Sequence, residues 1–129
     1  MKNIDKKDKD ALIQNRKQVS RLIYMVLAEN LIVREALLKF PQNTYDKSLK
    51  AAYHALIHRE ADEHLRRQDI LYKEEQDDYL EFIATILGQG EDLPKEIIKN
   101  YEKYYQDISV KYSDGMKEIL KKLCKFLNV

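Results

Sequence analysis

The sequence predicts an all-α protein, a bundle of four or five long antiparallel helices with the first of them central. Three observations carry that expectation. The 129 residues include only three glycines and two prolines, so few positions force the chain to turn. Apolar residues recur at helical spacing along most of the length, and no run alternates with the period of two that marks a strand. The strongest punctuation, "GQGEDLP" at residues 88–94, falls between two helical stretches.

Helix one is expected from residue 8 or 10 to about residue 40, with Pro41 following. Leu12, Val19, Val26, Val33 and Phe40 recur at intervals of seven. Ile23 and Leu37 fall at the complementary heptad position, with Arg16 and Asn30 as its polar members, which makes a packing seam of coiled-coil type. Leu22, Tyr24, Met25, Leu27, Leu31 and Ile32 extend the apolar surface nearly all round. A helix of that kind lies at the centre of a bundle or is shared with a second subunit. Glu29 and Asn30 interrupt this apolar stretch. A buried carboxylate there needs a partner, and a tyrosine, Arg34 or a histidine of helix two would serve. An Asn at a seam position can fix register and oligomer state.

The segment "PQNTYDKS" reads as a turn with Asn43 or Thr44 as N-cap, opening a second helix over residues 45–67. At "RQDIL" no Gly or Pro forces a stop, so the helix either runs on, kinks, or breaks with Asp69 able to cap a third helix. The stretch over about 70–87 has a stripe of Tyr72, Tyr79, Phe82, Ile83 and Ile86. Gly88 suits the C′ position of that helix, and Asp92 suits an N-cap with Pro94 in the first turn of the next. The last helix carries Ile97, Tyr101, Tyr105, Ile108 and Tyr112, then Met116, Ile119, Leu123 and Leu127, with a capped restart at Ser113 or Asp114 near Gly115.

The length suits one domain, residues 1–129 with 1–8 frayed. A hydrophobic fraction of 44% beside a charged fraction of 35% argues against disorder. The net charge of +1 points to neither nucleic acid nor a membrane as partner. Its distribution is uneven: acids predominate from His58 to Glu81, and Lys117, Lys121, Lys122 and Lys125 make a basic patch near the end. Two helix faces of opposite sign favour packing or self-association. The longest apolar run, "LIYMVLA", is too short to span a bilayer, and the N-terminus leads into no signal-peptide core. A cytoplasmic location is expected. The lone Cys124 allows no internal disulfide and sits in a helical pattern as a small buried thiol.

Chemistry concentrates in "AAYHALIHREADEHLRR" at residues 51–67, which holds all three histidines. His54, His58 and Asp62 stand four apart, one above another on a helix face. Two neutral imidazoles at that spacing can bind zinc, nickel or iron, with a carboxylate to complete the set. A divalent transition metal would need a further ligand, and Glu29, Glu75 and Asp78 are the candidates. The paired Glu-x-x-His motifs of di-iron bundles are missing. The competing reading places His54 and His58 at a core boundary, bonded to Asp62, tyrosines or carbonyls, and it is the one the residues favour. Arg59, Glu60, Glu63 and His64 are assigned to the outward face, where pairs such as Glu63 with Arg67 add a few tenths of a kcal/mol each.

Arg59 and His64 also make an Arg-x4-His string, and with "AAYHAL" this resembles helices of the HEPN class of small helical ribonuclease and antitoxin proteins. The resemblance implies RNA cleavage by Arg59 and His64 across a dimer. Members of that class carry the string on a later helix with a small polar residue after the arginine, whereas Glu60 follows Arg59 here.

Nine tyrosines with no tryptophan fit core-boundary positions, since Lys99, Lys103 and Lys111 are too diluted by acids for a nucleic-acid stacking face. No phosphate loop, dinucleotide turn, zinc pattern or nucleophile elbow is present. The reading that follows is an interaction or regulatory protein rather than an enzyme, forming a homodimer or binding a protein partner. The basic C-terminal face would serve an acidic one.

Overall fold

The computed structural model describes residues 6–42 and 45–111, the side chains of 104–111 excepted. Cys124, the basic patch from Lys117 to Lys125 and the restart expected at Ser113 or Asp114 lie outside the described residues, as do Asn43 and Thr44. The architecture is all-α: among the described residues there are six helices and no strand. They are α1 (Lys6–Leu27), α2 (Val33–Leu38), α3 (Lys47–Ala61), α4 (Glu63–Gln68), α5 (Ile70–Gly88) and α6 (Lys95–Lys111).

Helix one is shorter than its heptad seam suggests. It stops at Leu27 in a Schellman turn: Glu29 takes the left-handed backbone conformation at φ 61°. The Asn30 N–H bonds back to the Met25 carbonyl at 2.9 Å and the Glu29 N–H to the Val26 carbonyl at 3.0 Å. The apolar period nevertheless continues, because α2 and the turn after it deliver Val33, Leu37 and Phe40 to the same core. Glu29 and Asn30 are therefore exposed turn residues and form no buried polar layer.

α1 lies along α5 and also touches α2 and α3. Its buried face consists of Arg16, Val19, Ser20, Leu22, Ile23 and Val26. The two long helices meet closely near Gly88, where an added Cβ would stand 3.0 Å from the Ser20 hydroxyl. That hydroxyl donates to the Ala84 carbonyl at 2.6 Å in a buried setting. α3 shares the centre. Every side chain from Ala51 to Ile57 is buried, and its alanines allow α1, α2, α5 and α6 to approach it from several sides. Phe40 meets Tyr53 edge to face with ring centroids 5.2 Å apart.

Three helix ends differ from expectation in their capping residue. Asp46 caps α3, accepting from the Ser48 N–H at 3.0 Å. Positive φ at the end of α5 belongs to Gly90 (φ 77°), two residues beyond the expected Gly88. Gly90 and Glu91 close that helix with bonds to Leu87 and Ile86 carbonyls. α6 starts at Lys95, with the Pro94 carbonyl accepting from Ile97 and Ile98, so Asp92 is released for another task.

That task is an ion cluster around the buried Arg16, in which Asp46 is buried and Asp92 exposed. Its Nε and Nη2 donate to Asp46 at 2.8 and 3.1 Å, its Nη1 to the Gly90 carbonyl at 3.0 Å, and its Nη2 to Asp92 at 2.5 Å. Ser48, also buried, accepts from the Leu93 N–H at 2.9 Å. One guanidinium thus ties α1 to the start of α3 and to the α5–α6 loop. Burial works against its charge, but the hydrogen bond and charge of Asp46, followed by those of Asp92, hold its pKa above the ordinary value.

Of the alternatives left open near Gln68, the chain takes the break: Asp69 caps α5, accepting from the N–H groups of Leu71 and Tyr72 at 3.0 and 3.2 Å. Asp69→Ala should lower stability by about 1 kcal/mol, the usual cost of a lost N-cap. Urea unfolding checks this, and an unchanged midpoint would show that α5 does not depend on the cap.

Candidate functional site

The only break in the histidine-bearing stretch falls at Asp62, which ends α3 and precedes α4. The ladder of His54, His58 and Asp62 therefore occupies the last two turns of α3. The ring centroids of His54 and His58 are 6.3 Å apart at a tilt of 38°. His54 is buried and meets the Tyr101 ring of α6 edge to face at 5.6 Å. His58 stands at the surface, its Nε2 3.0 Å from Asp62 Oδ2.

Asp62 is crowded with donors. The Tyr72 hydroxyl donates to the same Oδ2 at 2.6 Å, and Gln76 Nε2 reaches it at 3.4 Å while also donating to the Tyr72 hydroxyl at 3.1 Å. Gln76 is fixed in turn by Arg66, whose Nη1 donates to its Oε1 at 2.9 Å and to the Arg59 carbonyl. The bond to Asp62, then burial, raises the Tyr72 pKa, because a phenolate beside a carboxylate is unfavourable. Burial, then the charge of His58, lowers His54 to about 4, so its imidazole is neutral at pH 7.

These groups border a cleft of about 410 Å3 between α3, α5 and α6. Ala51, Ala55 and Ile97 form apolar wall, while His54, His58, Gln76 and Asn100 supply polar atoms. Tyr72, Tyr79, Tyr101 and Glu75 complete it. Tyr79 carries a pKa raised by burial.

The structure separates the expected metal ligands. His54, His58 and Asp62 share one side, with Glu75 across the cleft, but Glu29 lines a different cavity of about 360 Å3 with Glu60, Glu63, Arg34 and Arg66. Asp78 is exposed on α5 outside the cleft lining. Among the described residues no group of three His, Cys, Asp or Glu side chains has an arrangement that could hold a metal ion.

The expected outward face also divides. Arg59 is buried, and its Nη1 pairs with Asp77 at 2.7 Å, which Lys73 engages from the other side at 2.7 Å. Burial opposes the Asp77 charge, but bonds from Lys73 and Arg59 prevail and hold its carboxyl below the usual range. His64 is exposed on α4. The break at Asp62 therefore puts Arg59 and His64 on different helices, one inside and one outside. Glu63 and Arg67 make their expected pair at 2.8 Å on the surface.

Reasoning from sequence missed Tyr72 and Gln76 as partners of Asp62. Their own four-residue spacing marks one helix face, but the turn that brings them to Asp62 depends on α4. Arg16 was visible as the charged member of an apolar seam, whereas Asp46 resembled a loop residue. No helix among the described residues is long and apolar enough to cross a membrane. Comparison with protein-family models, with curated proteins and with solved structures gives no match for this chain.

Proposed function

We propose that the protein is a helical interaction module that associates with a second copy of itself through the outer face of α5. The observation that carries this reading is a surface both apolar and acidic. Leu71 and Phe82 are 67% and 50% exposed, and exposed Glu74, Asp78 and Glu81 accompany them. Spacings of three, four and seven keep Leu71, Glu74, Asp78 and Phe82 on one side of the helix. Tyr24 extends the surface onto α1, its hydroxyl 2.9 Å from Thr85 Oγ1. Large exposed apolar side chains rimmed by charge are typical of contact surfaces.

The sequence supplies a complement. Lys117, Lys121, Lys122 and Lys125 alternate with Met116, Ile119 and Leu123, a basic and apolar pattern that matches the acidic and apolar face. The expected result is a dimer mass by size exclusion with light scattering, shifting toward monomer as salt rises from roughly 50 to 500 mM and screens the charges. Phe82→Glu should give a monomer with unchanged helical circular dichroism. A wild-type chain that is monomeric at low salt and high concentration overturns the reading.

A further inference from the structure

The cleft between α3, α5 and α6 is lined by residues other than those of the surface just described and has its own chemistry. Its lining brings three phenol rings together, Tyr72, Tyr79 and Tyr101, with Glu75 beside them. Among the described lining residues there is no lysine and no arginine. Asp62 stands behind His58 and Tyr72 on that side, with the Arg66 guanidinium on Gln76 beside it. Burial keeps His54 neutral, so the floor contributes no positive charge at pH 7.

An aromatic face attracts a cation within about 6 Å of the ring centroid, more strongly where water is excluded. The volume of about 410 Å3 falls within the usual span of small-molecule sites, roughly 300–1,000 Å3. We propose that this cleft binds a small organic ammonium ion, its charged nitrogen against the tyrosine rings and Glu75 and its hydrocarbon part against Ala51, Ala55 and Ile97. An anion entering here would meet Glu75, while the cation behind that wall, Arg66, is already engaged by Gln76 and the Arg59 carbonyl. A neutral molecule of the same shape would keep the apolar contact and lose the electrostatic attraction. The fixed bonds of Tyr72 to Asp62 and of Gln76 to Tyr72 hold one wall in place before a ligand arrives, which limits the ordering cost of binding.

The test is an NMR titration of the full chain, following the tyrosine ring resonances. Three probes are compared: choline, its uncharged isostere 3,3-dimethylbutan-1-ol, and benzoate. Choline should saturate and bind roughly 10-fold tighter than the alcohol, as expected for a partly desolvated cation–π contact. Benzoate should not bind. Tyr79→Leu should weaken choline by roughly 3- to 30-fold and Tyr79→Phe should largely restore it, since the attraction belongs to the ring rather than the hydroxyl. Glu75→Gln should weaken it by a smaller factor. Tyr79 and Glu75 are both exposed, so unchanged circular dichroism is expected and separates lost binding from lost folding. Equal binding of choline and the alcohol, no saturable binding, or an undiminished Tyr79→Leu variant each overturns the proposal.

Discussion

Arg16→Met should remove about 3–5 kcal/mol of folding stability, the loss typical of breaking a buried ion pair from one side. Methionine fills much of the same volume, so the loss would come from charge rather than from a cavity. Asp46 would be left almost wholly buried, its side chain 5% exposed, without the guanidinium that satisfies both its oxygens. The Gly90 carbonyl would lose a donor as well. Against a total stability of about 5–15 kcal/mol for a domain of this kind, that is a large fraction of the whole. Arg34→Ala is the control. Its pair with Glu60 is at 2.9 Å but the Arg34 side chain is 81% exposed, so the change should cost no more than about 1 kcal/mol. Urea midpoints of the two variants check the contrast, and similar losses would show that the buried cluster is not the stronger restraint.

The second large effect is a loss of stability in acid governed by His54. Its pKa is 6.5 in an ordinary setting and about 4 here, lowered by burial and then by His58. Between those values the unfolded chain binds a proton that the folded chain refuses, so stability falls as pH drops through the window. The shift corresponds to about 3 kcal/mol in total, accumulated between pH 6.5 and 4. Asp77, whose pKa is lowered from 3.8, contributes stability that is lost only below that value and stays outside the window. His54→Leu should therefore flatten the dependence of unfolding free energy on pH by one proton across this range. Guanidinium unfolding at pH 7, 5.5 and 4.5 measures it, and equal slopes for wild type and variant would refute the assignment.

The fold class and the end of α5 were legible because they rest on period and capping chemistry that act locally. The stop of α5 at Gly88 is the clearest case, whereas at Asp69 capping and continuation were both open until the structure showed the break. The buried face of α5 was less legible: the stripe of large residues pointed to Tyr79 and Phe82, while the core takes Leu80, Ile83, Ala84 and Leu87. Aromatic size outweighed the small residues that close helix contact requires. The break after Leu27 left only the polar pair Glu29 and Asn30 as a signal, since the left-handed position is held by Glu29 rather than by glycine or asparagine, and the heptads continue through it. The His54, His58 and Asp62 alignment followed from spacing alone. Its donors Tyr72 and Gln76 did not, because they arrive through the reversal at α4 and α5. Glu29 was grouped with the histidines on the premise of an unbroken helix and parted from them once the helix ended.

The Arg16 cluster has a consequence for how long the folded state lasts. Arg16 and Asp92 are 76 residues apart in sequence, so their contact closes one of the longest loops in the described chain. Closing a loop of that length costs chain entropy that the local helices and the α4–α5 turn do not have to meet, so this contact is expected to form after them. Interactions absent from the transition state act mainly on the rate of unfolding. The guanidinium is therefore expected to act as a latch: Arg16→Met should raise the rate of unfolding more than it lowers the rate of folding, and stopped-flow unfolding and refolding check it.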